Sequence, residues 1–237
     1  MIVLSIDSST DAATVSVVSD NKILGEMNFS NKKQHSILIM SMIDNLLKAL
    51  NLSVDDLDGF VVSKGPGSFT GLRIGMATIK GLSLGGNKPY ISVSSLDALA
   101  YNLYGCSGII CPIMDALRDN VYCGIYQYDN GELIKLMDYD RLSLDDLVNK
   151  LKEFNKPVHF IGDGTYKYKD FLQSAISPCY FAPSHLNFTR SSSLGELGLK
   201  LLAQGQHDDI NNSNPLYLRK SQAEREYDKK LQEYKNE

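Results

Sequence analysis

From Gly65 to Gly75 the chain reads GPGSFTGLRIG, and this stretch joins two segments of opposite kind. Before it, the apolar run Phe60-Val61-Val62 predicts a buried strand. After it, Met76 to Leu84 predicts a helix. A tight glycine-rich corner from strand to helix commits this part of the chain to an α/β layer, since strand and helix must pack face to face. Such a corner also leaves free backbone N–H groups at a helix start, which suits an anion. The usual phosphate signatures nevertheless fail. A P-loop needs Lys followed by Ser or Thr after its second glycine, and here Gly71 is followed by Leu72-Arg73. The dinucleotide pattern fails at Thr70, which stands where its third glycine belongs.

A chain of 237 residues holds one large domain or two small ones and enough core to fold unaided. Its formal charge of −4 disfavours a broad basic surface gripping nucleic acid on its own. No apolar run approaches a membrane span. The N-terminus, Met1-Ile2-Val3-Leu4-Ser5-Ile6-Asp7, lacks the basic lead and long apolar region of a signal peptide, so a cytoplasmic protein is expected. The four cysteines, Cys106, Cys111, Cys123 and Cys179, include no C-x-x-C pair and no nearby histidine at zinc spacing, which predicts reduced thiols. No metal site is expected.

The order of elements repeats. Ile2–Asp7, Thr14–Ser19 and Ile23–Phe29 are short β-rich runs. A helix from about His35 to Leu50, a strand at Asp58–Ser63, the helix after the corner, a strand at Pro89–Val93 and a helix at about Leu96–Leu103 follow. Tyr104-Gly105-Cys106-Ser107-Gly108 breaks the pattern and marks the expected boundary between residues 1–104 and 105–237. Beyond it, Ile109–Asp115, Val121–Tyr128 and Leu133–Tyr139 are again strands. Ser143-Leu144-Asp145-Asp146 opens a helix with a capping box, Val158–Ile161 is a strand, and Tyr166–Ser174 a helix. Two related βββαβα subdomains with mixed sheets predict an α/β protein of the actin-like ATPase (ASKHA) fold. Ser191–Leu202 reads as a further helix, Pro215–Arg219 as an extended piece, and Gln222 onward as a charged, solvated tail.

In that fold the first hairpin presents an acid and hydroxyls to phosphate and magnesium. Asp7, Ser9 and Thr10 are the candidates here, with Asp115 mirroring Asp7 in the second half and Asp163, between two glycines, near an adenosine. The alternative for the first loop is a plain Ser/Asp-rich turn. No nucleophile elbow or placed triad accompanies these residues. The helices are more telling. His35–Leu50 carries Leu38, Ile39, Met42, Ile43, Leu46, Leu47 and Leu50 at core spacing and adds Ile37 and Met40 on a neighbouring face, which predicts burial on more than one side. The next helix carries Ala77, Gly81 and Gly85 four apart, after Gly71 and Gly75. Glycines weaken a helix by roughly 1 kcal/mol each, so close approach of a neighbour is expected, either the chain's own sheet or a partner protein.

At this point the chain resembles the TsaB family, dimerisation subunits of the bacterial complex that makes threonylcarbamoyladenosine in tRNA. The matching pieces are LSIDSST, SKGPGSFTGLRIGMATIKGLS, PYISVSSLDALA, MDALRDNVYCGIY, IGDG and PLYLRKSQAERE, in order from Leu4 to about Glu226. The resemblance implies two actin-like subdomains, and pairing through the N-terminal one with a homologous catalytic threonylcarbamoyltransferase of the TsaD kind. It further implies a small TsaE-like ATPase subunit that joins the pair, and tRNA as the substrate of the whole complex. Ile37, Met40, Gly71, Gly75, Ala77 and Gly81 are then candidates for the partner's face. The catalytic relatives carry a metal-binding H-x-x-x-H where this chain has roughly Ser95 and Leu99, neither of which can ligate a transition metal. A subunit without catalytic activity of its own is therefore expected, with at most vestigial nucleotide and magnesium binding. Where the family has an Asp-Ala-Arg-Arg-like run, this chain has Asp115-Ala116-Leu117-Arg118, so only Arg118 carries over. Arg73 matches the family motif without a legible task.

Two other readings stand beside this one. An actin-like ATPase or small-molecule kinase would use Asp7, Thr10 and Asp115 around magnesium–nucleotide. A self-associating module would use the same helices to form a homodimer.

Overall fold

The structure is a computed structural model that describes residues 1–30, 35–219 and 227. The tail expected from Gln222 onward, Tyr227 apart, lies outside the described residues. In the first half the order is β1 (Ile2–Asp7), β2 (Ala12–Ser19), β3 (Lys22–Ser30), α1 (His35–Leu50), β4 (Gly59–Gly65), α2 (Phe69–Gly86), β5 (Tyr90–Ser94) and α3 (Ser95–Tyr101). The second half runs β6 (Ile109–Asp115), β7 (Asn120–Asp129), β8 (Glu132–Ser143), α4 (Leu144–Lys152), β9 (Val158–Ile161), α5 (Gly164–Ala175), β10 (Cys179–Phe181) and α6 (Ser191–Ala203).

Each half builds a five-stranded mixed sheet of the same topology. The first has the order β3-β2-β1-β4-β5, the second β8-β7-β6-β9-β10. In each, three strands form an antiparallel meander and two more join its first strand in parallel through helical crossovers. This is the expected α/β arrangement of two related subdomains. Period-2 alternation sorts β1 between two cores. Leu4 and Ile6 face α1 and α2, packing with Val15, Val17, Ile39, Met42, Ile43, Phe60 and Ile79. Val3 faces the other way, with Val18 and Val61.

That second core is closed by α6. Leu194, Leu199 and Leu202 complete it. Added methyl groups at Gly195 and Gly198 would stand 2.8 Å from Val18 and 2.4 Å from Val61, so the helix lies almost directly on the sheet. Glu26 of β3 fixes its start, accepting from Ser192 N (3.0 Å), Ser192 Oγ (2.7 Å) and the Arg190 guanidinium. A carboxylate here satisfies an orphan N–H and meets the positive end of the helix dipole. By position in sequence α6 was expected in the second subdomain, 105–237. It packs instead on the first sheet, because Glu26 and the apolar face of that sheet are its partners.

Other boundaries moved for physical reasons. Helix α2 begins at Phe69, not Met76, since Ser68 Oγ caps it by accepting from Gly71 N at 3.2 Å and packing overrides the poor glycine propensity. At Ser143 the N-cap half of the expected capping box forms, with Asp146 N donating to Ser143 Oγ at 3.1 Å, while Asp146 Oδ2 accepts from Ser143 Oγ at 2.6 Å rather than from the backbone. Strand β10 has no alternating pattern and was not anticipated. Pro215–Arg219 joins no sheet, but Leu216 N donates to Lys64 O at 2.7 Å. The halves meet over Leu96, Leu99, Ile110, Met114, Tyr126 and Ile161, with Asp97 accepting from Tyr126 (2.8 Å) and Tyr139 (2.6 Å). All four cysteines are free. Among the described residues no helix is long and apolar enough to cross a membrane.

Candidate functional site

The loop after β1 and the glycine corner after β4 are locked together. Ser68 N donates to Ser9 O at 2.6 Å and Ser8 Oγ to Gly71 O at 2.8 Å. A Cβ on Gly71 would lie 1.9 Å from Ser8 O, one on Gly75 2.5 Å from Ser8 Oγ, and one on Gly67 2.2 Å from Ser9 O. Gly71 and Gly75 are therefore buried against the chain's own first loop. Read from sequence as part of a partner's face, they serve internal close approach instead. Ser94 and Ser95 hold the corner from below, donating to Gly65 O (2.9 Å) and Pro66 O (2.6 Å). Ser95 and Leu99, the positions expected to lack metal ligands, are both buried, Leu99 in the core between the halves.

Asp7 is fully buried. Its Oδ1 accepts from Ser9 N (2.8 Å), Ser9 Oγ (2.7 Å) and Thr189 Oγ1 (3.1 Å), and burial pushes its carboxyl above the usual range. Thr10 Oγ1 accepts from Ala12 N at 3.2 Å and lies 3.4 Å from Thr189 Oγ1. The segment carrying Thr189 crosses between the halves. One residue pair away, Asn187 accepts from Gly162 N (2.7 Å) and donates to Thr165 Oγ1 (2.7 Å). Asp7, Ser9 and Thr10 are thus staples of the junction. Asp7 Oδ1 is used by Ser9 and Thr189, Asp7 Oδ2 is buried without a hydrogen-bond partner among the described residues, and the corner packs directly onto this loop.

Asp115 and Asp163 do come together. Asp163 Oδ1 accepts from Asp115 N at 3.1 Å. Burial, followed by repulsion from Asp115 and Asp11, pushes its carboxyl up to about 6. Asp115 Oδ1 accepts from Leu117 N (2.9 Å) and Tyr168 OH (3.2 Å) and lies 3.6 Å from Lys167 Nζ. Asp7 is not part of this pair. Among the described residues no group of three or more His, Cys, Asp or Glu could hold a metal. Arg118 is exposed in a run of left-handed residues, Leu117, Arg118 and Asp119, with φ of 63°, 55° and 55°. Asn120 Nδ2 steadies the run by donating to Arg118 O at 2.6 Å.

The remaining candidates lie on the outer faces of α1 and α2. Ile39, Met42, Ile43, Leu46 and Leu47 bury one side of α1, but Ile37 is 70% and Met40 51% exposed. The expected burial of α1 on more than one side is not met within the chain. On α2, Leu72, Met76, Ile79 and Ser83 face the core, whereas Ala77, Gly81, Leu84 and Gly85 face out, Leu84 being 67% exposed. A methyl group on Gly81 or Gly85 would meet nothing within 4 Å. These glycines weaken the helix with no internal close approach to offset them. Leu84, on the outer face of α2, and Phe29, at the end of β3 and 48% exposed, are further exposed apolar residues of the first half that were missed. Leu84 follows Gly81 by three residues, so its place was readable from helical spacing; Phe29 had no such signal.

The family model described as TsaD, tRNA N6-adenosine threonylcarbamoyltransferase, matches residues 22–227. A solved Pseudomonas aeruginosa protein, described as similar to the peptidase YeaZ, superposes with a TM-score of 0.77 at 22% identity over 92% of this chain and 99% of its own. An activator of a 2-hydroxyisocaproyl-CoA dehydratase from Clostridium difficile, solved with bound ADPNP, superposes at 0.50 with 9% identity over 87% of this chain and 97% of its own. The chain is thus an actin-like ATPase-fold protein. The tRNA threonylcarbamoyladenosine biosynthesis protein TsaB of Bacillus subtilis (strain 168) is 35% identical over 94% of this chain and 96% of its own length. The chain belongs to the TsaB family.

Proposed function

We propose that this chain is a subunit without catalytic activity of its own that pairs, through the outer faces of α1 and α2, with a homologous catalytic threonylcarbamoyltransferase. The small ATPase subunit and tRNA engage that pair, in the cytoplasm. The observation that carries this is the exposed face of Ile37, Met40, Ala77, Gly81 and Leu84. Apolar side chains beside outward glycines let a second helix pair approach backbone to backbone. The match to the TsaD family model supports a partner of that kind, since a protein homologous to this chain can be expected to share its fold. Burial of Asp7 and the packed first loop support at most a vestigial nucleotide or magnesium site there. In the absence of the paralogue, the same apolar face favours a homodimer in competition with the heterodimer.

The test is a reconstituted modification assay with threonylcarbamoyl-adenylate, substrate tRNA, the catalytic paralogue and the ATPase subunit, with and without this chain. Modification that needs both homologues, and none from this chain alone, is the expected result. Modification without this chain, or by it alone, overturns the reading.

A further inference from the structure

Arg73 stands on the same stripe of α2 as Ala77 and Gly81, four and eight residues before them, and is exposed. Unlike most exposed arginines it is held. Its guanidinium carbon lies 4.3 Å over the centre of the Phe69 ring and 5.9 Å from that of Tyr217, and its Nε donates to Tyr217 OH at 3.1 Å. Phe69 and Tyr217 are themselves stacked at 4.1 Å. Tyr217 is anchored in turn. Lys80 Nζ donates to Ser213 O at 2.8 Å, Leu216 N to Lys64 O at 2.7 Å, and Arg219 Nη1 to Ala116 O at 3.0 Å, so the segment carrying Tyr217 runs beside α2 and is fastened to both halves.

Among the described residues, Nε is the Arg73 nitrogen that donates a hydrogen bond. Among the described residues its Nη groups have no acceptor, and no carboxylate lies within ion-pair distance. The rest of the stripe, Ala77, Gly81, Leu84 and Gly85, is uncharged. A guanidinium stacked in place has already lost much of the rotamer freedom that an ion pair would otherwise have to freeze, and its free edge is a planar fork matched to a carboxylate.

We propose that Arg73 is the polar anchor of the pairing face and takes a carboxylate of the catalytic paralogue, with Phe69 and Tyr217 as its positioning residues. This rests on the pairing reading above. An arginine at the edge of an apolar patch, pre-ordered by aromatic rings, has the composition of an interface hot spot. The charge fixes register between two helix pairs whose small-residue contacts would otherwise slide by a turn.

The experiment measures the dissociation constant of the full chain with the paralogue from the same organism at low and high salt. It compares the parent, Arg73→Ala, Arg73→Lys and Tyr217→Phe, together with Lys152→Ala as a charge control in the second half. Arg73→Ala is expected to weaken binding about tenfold or more and to flatten the salt dependence. Arg73→Lys, which keeps charge without the fork, recovers part of the affinity and the salt dependence. Tyr217→Phe, which frees Nε but keeps the ring, costs a few-fold, and Lys152→Ala changes neither quantity. Loss of affinity in Arg73→Ala with the parent's salt dependence would mean that Arg73 only pins Tyr217, and overturns the anchor. So does parental affinity in Arg73→Ala. If the parent itself does not bind the paralogue, it is the pairing reading that fails.

Discussion

At Gly71 a methyl group would stand 1.9 Å from a backbone oxygen, and at Gly81 it would meet nothing within 4 Å. Gly71→Ala must push the first loop off the corner and break the Ser68–Ser9 bond, so a loss of about 3 kcal/mol or more is expected, read as a lower midpoint in thermal or urea unfolding. Gly81→Ala should raise the same midpoint, by roughly 0.5–1 kcal/mol from helix propensity, while weakening pairing. Asp163 gives a pH-dependent counterpart. Its carboxyl is pushed up from 3.8 to about 6 by burial, then by Asp115 and Asp11, so the folded state binds its proton more tightly than the unfolded state. The cost to stability is therefore complete above pH 6 and is relieved as pH falls from 6 towards 4. Asp163→Asn should stabilise by about 1–3 kcal/mol at pH 7.5, with the gain vanishing near pH 4 in unfolding curves taken across that range.

At the scale of elements, α1 and α2 each bury one face and leave another unpartnered, and charge on the outer face separates pairing from folding. Met40→Asp and Ala77→Glu should leave the unfolding midpoint within about 0.5 kcal/mol of the parent while reducing affinity for the paralogue by at least about a hundredfold, since a charge would be desolvated without a partner. Co-purification and calorimetry with the paralogue check this; a collapse in thermal stability with unchanged affinity would place these residues in the core. The strands were readable because apolar runs of period 2 are local. Whether a four-residue glycine spacing serves the chain or a partner is not local. Gly71-x-x-x-Gly75 and Gly81-x-x-x-Gly85 look alike in sequence, and only the position of Ser8, more than sixty residues upstream of Gly71, tells them apart. Tyr217 was invisible for the same reason, its partners Phe69 and Arg73 being set by the path of the returning chain.

For the molecule as a whole, the repeated order of elements was sufficient to anticipate two subdomains of one topology, but not that α6 belongs to the first of them. Nothing in the pattern of α6 distinguishes one apolar sheet face from the other; Glu26 and the valines under Gly195 and Gly198 decide it. A fragment of residues 1–104 therefore lacks the cover of Val3, Val18 and Val61. It should aggregate or remain without a cooperative transition, and a separately supplied peptide spanning residues 186–219 should restore one, as followed by circular dichroism. A stable, cooperatively folding 1–104 fragment would show that α6 is dispensable.

The return of α6 also orders events on the ribosome. The first sheet leaves the exit tunnel early but waits for a helix made about 100 residues after β5. At ~5–20 residues per second that is a delay of roughly 5–20 s, during which one face of a hydrophobic sheet stands open. The second half, meanwhile, has every strand of its own sheet before α6 is translated. Completion therefore runs from the C-terminal half back to the N-terminal one, against the direction of synthesis, and the waiting sheet is where a nascent-chain chaperone would be needed.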